Sequence, residues 1–235
     1  MAINLKGKVT IGRYTIVQNG LVLHLDAGNS LSYPGYGTNW NDLSGNSNHA
    51  TLTNGPTYSA SNLGSVVFDG VDDYAYGNTP VSGNTNYTMT GFVKVNLNTK
   101  GAFFKSASGG GGCAIGMGSG TFDSNRNSVI MLFPDVRWIG TGSTWNSGWQ
   151  MVTMVLNSSG VPSAYKNNEF IAESSGSLSN NAYGEYYVAR SVGNELVGST
   201  RAANCQIGNF MMYNRALSAS EITQNYNALK SRYGL

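Results

Sequence analysis

The stretch SVVFDGVDDYAYG, residues 65–77, sets three aspartates and two tyrosines into thirteen positions behind an apolar run. Carboxylates this dense serve as an acid/base pair, as hard-oxygen metal ligands, or as turn formers that accept from backbone N–H groups. Strand alternation sends Val66 and Phe68 one way and Val67 and Asp69 the other. Asp69-Gly70 then opens a turn, and Asp72 and Asp73, adjacent at the start of the next strand, face opposite sides. Neighbours on one strand do not form a facing acid/base pair, and the turn separates Asp69 from them. Glu169 and Glu173 lie about 13 Å apart along an extended strand, outside either glycosidase geometry. The segment reads as a turn signature with a metal site as the alternative, and the chain reads as a non-enzyme.

The aromatic residues offer a different chemistry, stacking on sugar rings. Trp138, Trp145 and Tyr36 sit in Gly/Ser/Thr/Asn-rich stretches and not in alternating strands, so they are the candidate ligand-binding residues. Trp149, in GWQMVTMVL, is assigned to the core by its strand position. Tyr74 and Tyr76 share a strand face and either pack beneath a neighbouring sheet or stay open for stacking. His24 and His49 are accompanied by no G-x-S-x-G elbow, and His24 reads as a satisfied strand residue. Two histidines and two cysteines lack zinc-ligand spacing, and Cys113 and Cys205 read as free thiols.

The elements that position these residues follow from periodicity. LVLHLDAG alternates, with Leu21, Leu23 and Leu25 on one face. SVVFDG, YTMTGFVKVNL, GAFFKS, SVIMLF, WQMVTMVLN and CQIGNFMMYN are further short apolar runs at sandwich spacing. VPSAYKNNEFIAES is a hairpin turning at Asn167-Asn168. SASGGGGCAIGMGSG is low in complexity and reads as an exposed loop. In LSASEITQNYNALKSRYG, Ser218 and Glu221 form a capping box, Ile222, Tyr226 and Leu229 recur at helical spacing, and Gly234 terminates.

Of the 235 residues only 11% are charged, against about 25% in ordinary domains. Net charge is +2 with no Lys/Arg cluster, which excludes a nucleic-acid footprint. Residues 2–18 alternate and contain neither a secretory h-region nor a membrane span, so no membrane partner is expected.

Four blocks, LVLHLDAGNSLSYPG, WNDLSGNSNHATLTNGPTY, VVFDGVDDYAYG and IGNFMMYNRALSASEITQNYNALKSRYG, resemble in this order the bacterial and phage branch of the laminin-G-like family. That family belongs to the concanavalin A-like lectin/glucanase jelly rolls. GWQMVTMVLNSSGVPSAYKNNEF is similar to its central segment more loosely. The resemblance covers residues 20–235. It implies an all-β, two-sheet antiparallel jelly-roll sandwich with one short C-terminal helix, and it leaves residues 1–19 as an N-terminal arm. It also implies a structural calcium ion at a loop edge, with Asp26, Asp69 and Asp72 as ligands beside Gly70. Asn209 stands where relatives often carry an acid.

Fold does not fix function. The expected function is a phage virion structural protein, such as a capsid decoration, fibre or tail component, that displays a lectin-like domain toward host-surface glycans. Apolar residues in the arm (Ile3, Leu5, Val9, Ile11, Tyr14, Ile16) suit strand addition to other virion proteins or within a homo-oligomer. The alternative is a stand-alone calcium-dependent lectin or adhesin, and a glycoside hydrolase is the remote third.

Overall fold

A computed structural model describes residues 15–81, 86–97, 101–106, 113–118, 127–133, 137–174, 184–191 and 201–235. Most of the expected arm, residues 1–14, lies outside the described residues. The strands are β1 (Leu21–Asp26), β2 (Asn39–Trp40), β3 (Ala50–Thr53), β4 (Thr57–Ser59), β5 (Ser65–Asp69) and β6 (Tyr74–Asn78). Then come β7 (Tyr87–Val95), β8 (Gly101–Lys105), β9 (Ala114–Met117), β10 (Ser128–Phe133), β11 (Arg137–Thr144) and β12 (Trp149–Leu156). The last are β13 (Pro162–Lys166), β14 (Glu169–Glu173), β15 (Glu185–Val188), β16 (Arg190–Ser191), β17 (Arg201–Ala202) and β18 (Asn204–Tyr213). The helix α1 (Ala219–Leu229) and a 3-10 turn, Lys230–Tyr233, close the chain.

Sixteen of the strands form two antiparallel sheets, and β16 and β17 pair with each other in a short separate ladder. The first runs β14-β13-β12-β7-β18-β5-β4, with β1 also on β18; the second runs β11-β10-β9-β8-β15-β6-β3-β2. Alternating residues of both, including Leu23, Leu25, Val66, Phe68, Met89, Phe104 and Phe210, meet in one core. Phe104 and Phe210 stack at 4.3 Å across it.

The first sheet is covered on its outer face too. Phe92, Trp149, Met151, Met211 and Tyr213 form a second cluster beneath Leu217, Ile222 and Tyr233. β12 is therefore buried throughout, as the unbroken run WQMVTMVL requires. Thr90 and Thr153, also facing outward, satisfy each other at 2.6 Å. The helix begins as its sequence predicts: Ser218 Oγ accepts from Glu221 N–H, and the Glu221 carboxylate accepts from Ser218 N–H at 2.9 Å. The Arg215 guanidinium bonds the same carboxylate and pulls it down to about 2.

Two expectations change. Residues 15–19 join the domain and not a free arm: Val17 is buried, its N–H donates to Asn225 Oδ1 and its carbonyl accepts from Tyr213 OH. The second half of the glycine tract is core and not loop, because β9 is wholly buried and Gly116 lies where a Cβ would strike the Gly101 carbonyl. Low complexity there reflects close strand approach; residues 107–112 and 119–120 of the tract lie outside the described residues. In the hairpin, Lys166 opposes Glu169 as predicted, with Asn167 in the left-handed region at φ 58°.

Cys113 and Cys205 are free and buried between the sheets. Burial pushes the Cys113 thiol up to about 11 and raises Cys205 further.

Replacing Ser218 by Ala removes the hydroxyl that accepts from the first helical turn and is expected to loosen α1 by about 1 kcal/mol. Hydrogen exchange across residues 219–229 should accelerate, and unchanged exchange would show that the cap is dispensable.

Candidate functional site

Tyr36 is exposed to solvent, at 76%. It projects from the loop that carries the chain from β1 in the first sheet to β2 in the second. That loop is stitched internally: Ser32 Oγ donates to the Asn41 carbonyl, Asn41 N–H to the Ser32 carbonyl, and Tyr33 OH to the Gly37 carbonyl. Leu52 N–H donates to the Thr38 carbonyl and ties the loop to β3. Flanking Gly35 and Gly37 take φ of 92° and 80°, conformations that other residues rarely adopt, and Gly35 also rests against the Tyr58 ring. Tyr33, beneath, packs edge-on to Tyr58 at 5.8 Å. Tyr36 is thus held outward by a fixed backbone.

Beside it opens a cleft of about 420 Å³ lined by Pro34, Tyr36, Gly37, Thr38, Asn39 and Asn41. The lining carries one aromatic face, two hydroxyls and two amides, and no charge. Such a lining can stack an apolar ring face while offering neutral donors and acceptors to hydroxyl groups.

The other candidates part from Tyr36. Trp145 is 4% exposed and packs edge-on against Phe103 at 4.9 Å inside the core. It is corrected from a ligand residue to a core residue: its Gly/Ser/Thr surroundings sit at the end of β11, where the chain turns inward. Trp138 opposes Leu132 in the β10–β11 ladder, and its side chain lies outside the described residues. Trp149 is core as predicted, with its indole N–H donating to Asn62 Oδ1 at 3.1 Å.

The carboxylates divide likewise. Asp26 is corrected from metal ligand to ion-pair partner: Arg232 bonds its Oδ1 at 2.5 Å, and Gly28 N–H donates to the same atom. Asp26 opposes Asn209 on β18 and Asp69 opposes Asn204. Five residues of strand, about 17 Å, therefore part the two acids, too far for one ion. Asp69 and Asp72 do converge, with Asp73 as a third member that sequence reasoning assigned to the opposite face; their oxygens lie within 4.8 Å of one another. The turn reading also holds, since Asp69 Oδ1 accepts from Val71 N–H at 2.7 Å and Asp73 Oδ2 from Asp69 N–H at 3.2 Å. Burial raises the Asp73 carboxyl; the Asp69 N–H works against this, and the neighbouring Asp69 and Asp72 charges add to it. Asn209 is fully buried and accepts from Phe92 N–H at the β18 bulge.

His24 faces the helix side, where burial lowers its pKa, and its Nε2 has no protein partner. The carboxylate beside it, Asp42, escaped sequence reasoning. It accepts from the N–H groups of His24, Ser44 and Asn48 and folds the following loop onto β1. Also missed was Tyr187, which joins Tyr74 and Tyr76 on the outer face of the second sheet, ring centres 5.8 to 6.4 Å apart. Arg190 lies 4.3 Å over Tyr74. These rings are half-buried, so they answer the question about Tyr74 and Tyr76 midway between core and open surface.

No family model matches the chain, and no curated protein does. Solved structures do. A sialidase of Trypanosoma rangeli superposes with TM-score 0.65 at 18% identity, over 90% of this chain. This chain spans only 33% of the sialidase's length. Domain 4 of AbnA, a GH43 extracellular arabinanase of Geobacillus stearothermophilus, in complex with arabinotriose, matches with TM-score 0.64 at 17% identity. There 88% of this chain and 98% of that domain are covered. The binding domain of Paraclostridial Mosquitocidal Protein 1 matches with TM-score 0.65 at 14% identity, over 90% and 52%. At such identities the likeness is one of fold, and together with the sheet topology it makes this chain a two-sheet antiparallel jelly-roll sandwich.

Proposed function

We propose that the domain is a carbohydrate-binding jelly roll that takes a neutral sugar at the Tyr36 cleft. The observation that carries this reading is a tyrosine held in solvent by two left-handed glycines, beside a cleft lined only by uncharged groups. The arabinanase domain, matched over nearly its whole length and bound to arabinotriose, supports the ligand class. The role is binding and not catalysis. Glu169 and Glu173, the nearest approach to a glycosidase pair in the sequence, lie exposed on the edge strand β14, opposite Lys166 and Ser163.

Within the same reading the domain is displayed on a phage particle. The four-block resemblance and the scarcity of surface charge support this, and residues 1–14 are the part of the arm left to dock on other virion proteins or a further copy. Co-purification of the chain with particles tests that placement, and its absence from them would favour the stand-alone lectin.

A calcium ion belongs to this reading as a structural ligand of Asp69, Asp72 and Asp73, whose clustered hard oxygens fit it. An ion bound only by the native state raises the melting temperature by mass action. Saturating calcium is expected to raise it relative to chelator, and the difference should vanish in Asp73→Asn. Coincident curves for the unaltered protein would leave the cluster as turn structure.

Titration with arabinotriose tests the cleft. Tyr36→Ala should weaken binding about tenfold, the worth of one lost aromatic contact, whereas Tyr36→Phe, which keeps the ring face, should bind normally. Undiminished binding by Tyr36→Ala would move the site elsewhere.

A further inference from the structure

The outer face of the first sheet is not covered to its end. Tyr233 and α1 stop over Trp149 and Phe92, and beyond them the next outward row crosses the sheet as Val67, Gln206, Lys94 and Trp149. Above this row lies a groove of about 290 Å³, lined by Val67, Lys94, Asn96, Ser147, Asn204 and Gln206 among others. Strand alternation forces these side chains outward, because Val66, Val93, Val95, Cys205 and Ile207 take the inward positions.

The groove is rich in donors. Among the described residues the Lys94 ammonium has no hydrogen-bond or ion-pair partner, nor has the Asn204 side chain or the Ser147 hydroxyl. Gln206 accepts from Ser65 Oγ through its Oε1, at 3.3 Å, which leaves its NH2 directed elsewhere. A cation without a counter-ion among the described residues, ringed by amides and a hydroxyl over one apolar side chain, is matched by a ring bearing one carboxylate and several hydroxyls. The Asp69, Asp72 and Asp73 turn closes one end, since Asp69 opposes Asn204 one outward row, or about 7 Å, along β18 from Gln206. Those carboxylates disfavour densely anionic ligands and restrict the groove to one charge per ring.

We propose that this groove is a second binding site, separate from the Tyr36 cleft, for a saccharide carrying a single carboxylate such as a uronate, with Lys94 as the residue that reads the charge. The saccharide half of this inference rests on the carbohydrate-binding reading; the charge half rests on Lys94 alone.

The test is titration of the full chain with trigalacturonate, its methyl ester, acetate and arabinotriose. Trigalacturonate should bind about tenfold more tightly than its ester, the worth of one charge-assisted bond. Lys94→Gln should erase that difference by weakening the acid form alone, and Lys94→Arg should restore most of it. Raising salt from about 0.05 to about 0.5 M should weaken only the acid form. Equal affinity for acid and ester, failure of trigalacturonate to bind, or an unaffected Lys94→Gln of normal melting temperature would overturn the assignment. Acetate competing at equal concentration would reduce the groove to a simple anion site and overturn the saccharide. Loss of arabinotriose binding in Tyr36→Ala, read in the same series, separates the fate of the first site from that of the second.

Discussion

Strand β18 is the constraint on which the first sheet depends. Its ten residues pair with β7 along one edge, and along the other with β5 at the start and β1 at the end. The handover between β5 and β1 falls at a bulge beside Gly208 and Asn209, where a side chain on Gly208 would strike the Tyr233 ring. The same bulge frees Phe92 N–H from the ladder, and Asn209 Oδ1 supplies its acceptor at 3.0 Å. Arg232 then locks the junction, reaching Asp26 on β1 and the Gly64 carbonyl before β5. Moving any one of these groups would leave a buried polar atom unpaired, which costs more than the bond itself contributes.

Much of the outer surface follows from that junction. Because Tyr233 stacks on Phe92 at 4.2 Å and α1 extends from there, one end of the outer face is sealed and the other stays open. The sealed end holds the second cluster, the open end the Lys94 row. The Tyr36 loop is fixed by a separate device, the hydrogen bonds of Ser32 and Asn41, so the two surfaces do not share a support. The domain accordingly presents two independently supported surfaces, one aromatic and neutral, one cationic.

Legibility in the sequence tracked locality. β1, the β13–β14 hairpin and the capped helix were readable because alternation, turn residues and capping act over a few positions. The sandwich itself was readable from strand spacing and from the order of the resembling blocks. Trp145 was not, since its polar neighbours describe the strand end and say nothing about Phe103, some forty residues away, against which it packs. Asp26 looked like a metal ligand because its partner Arg232 is 206 residues distant. Lys94 gave no signal, as a lysine in a strand acquires meaning only when the rows beside it are known. The half of the glycine tract that proved to be core failed for the converse reason: glycine marks flexibility in isolation and tight approach in a sheet.

The two buried thiols divide between the sheets, Cys205 on β18 and Cys113 immediately before β9. Only the thiolate reacts, and burial that lifts both thiols far from neutrality keeps that form scarce while the sandwich is closed. The rate at which an alkylating reagent takes each one therefore measures the opening of its own sheet. The molecule carries a pair of intrinsic clocks, one per layer, and comparing them tells whether the sandwich breathes as one body or sheds its second sheet first.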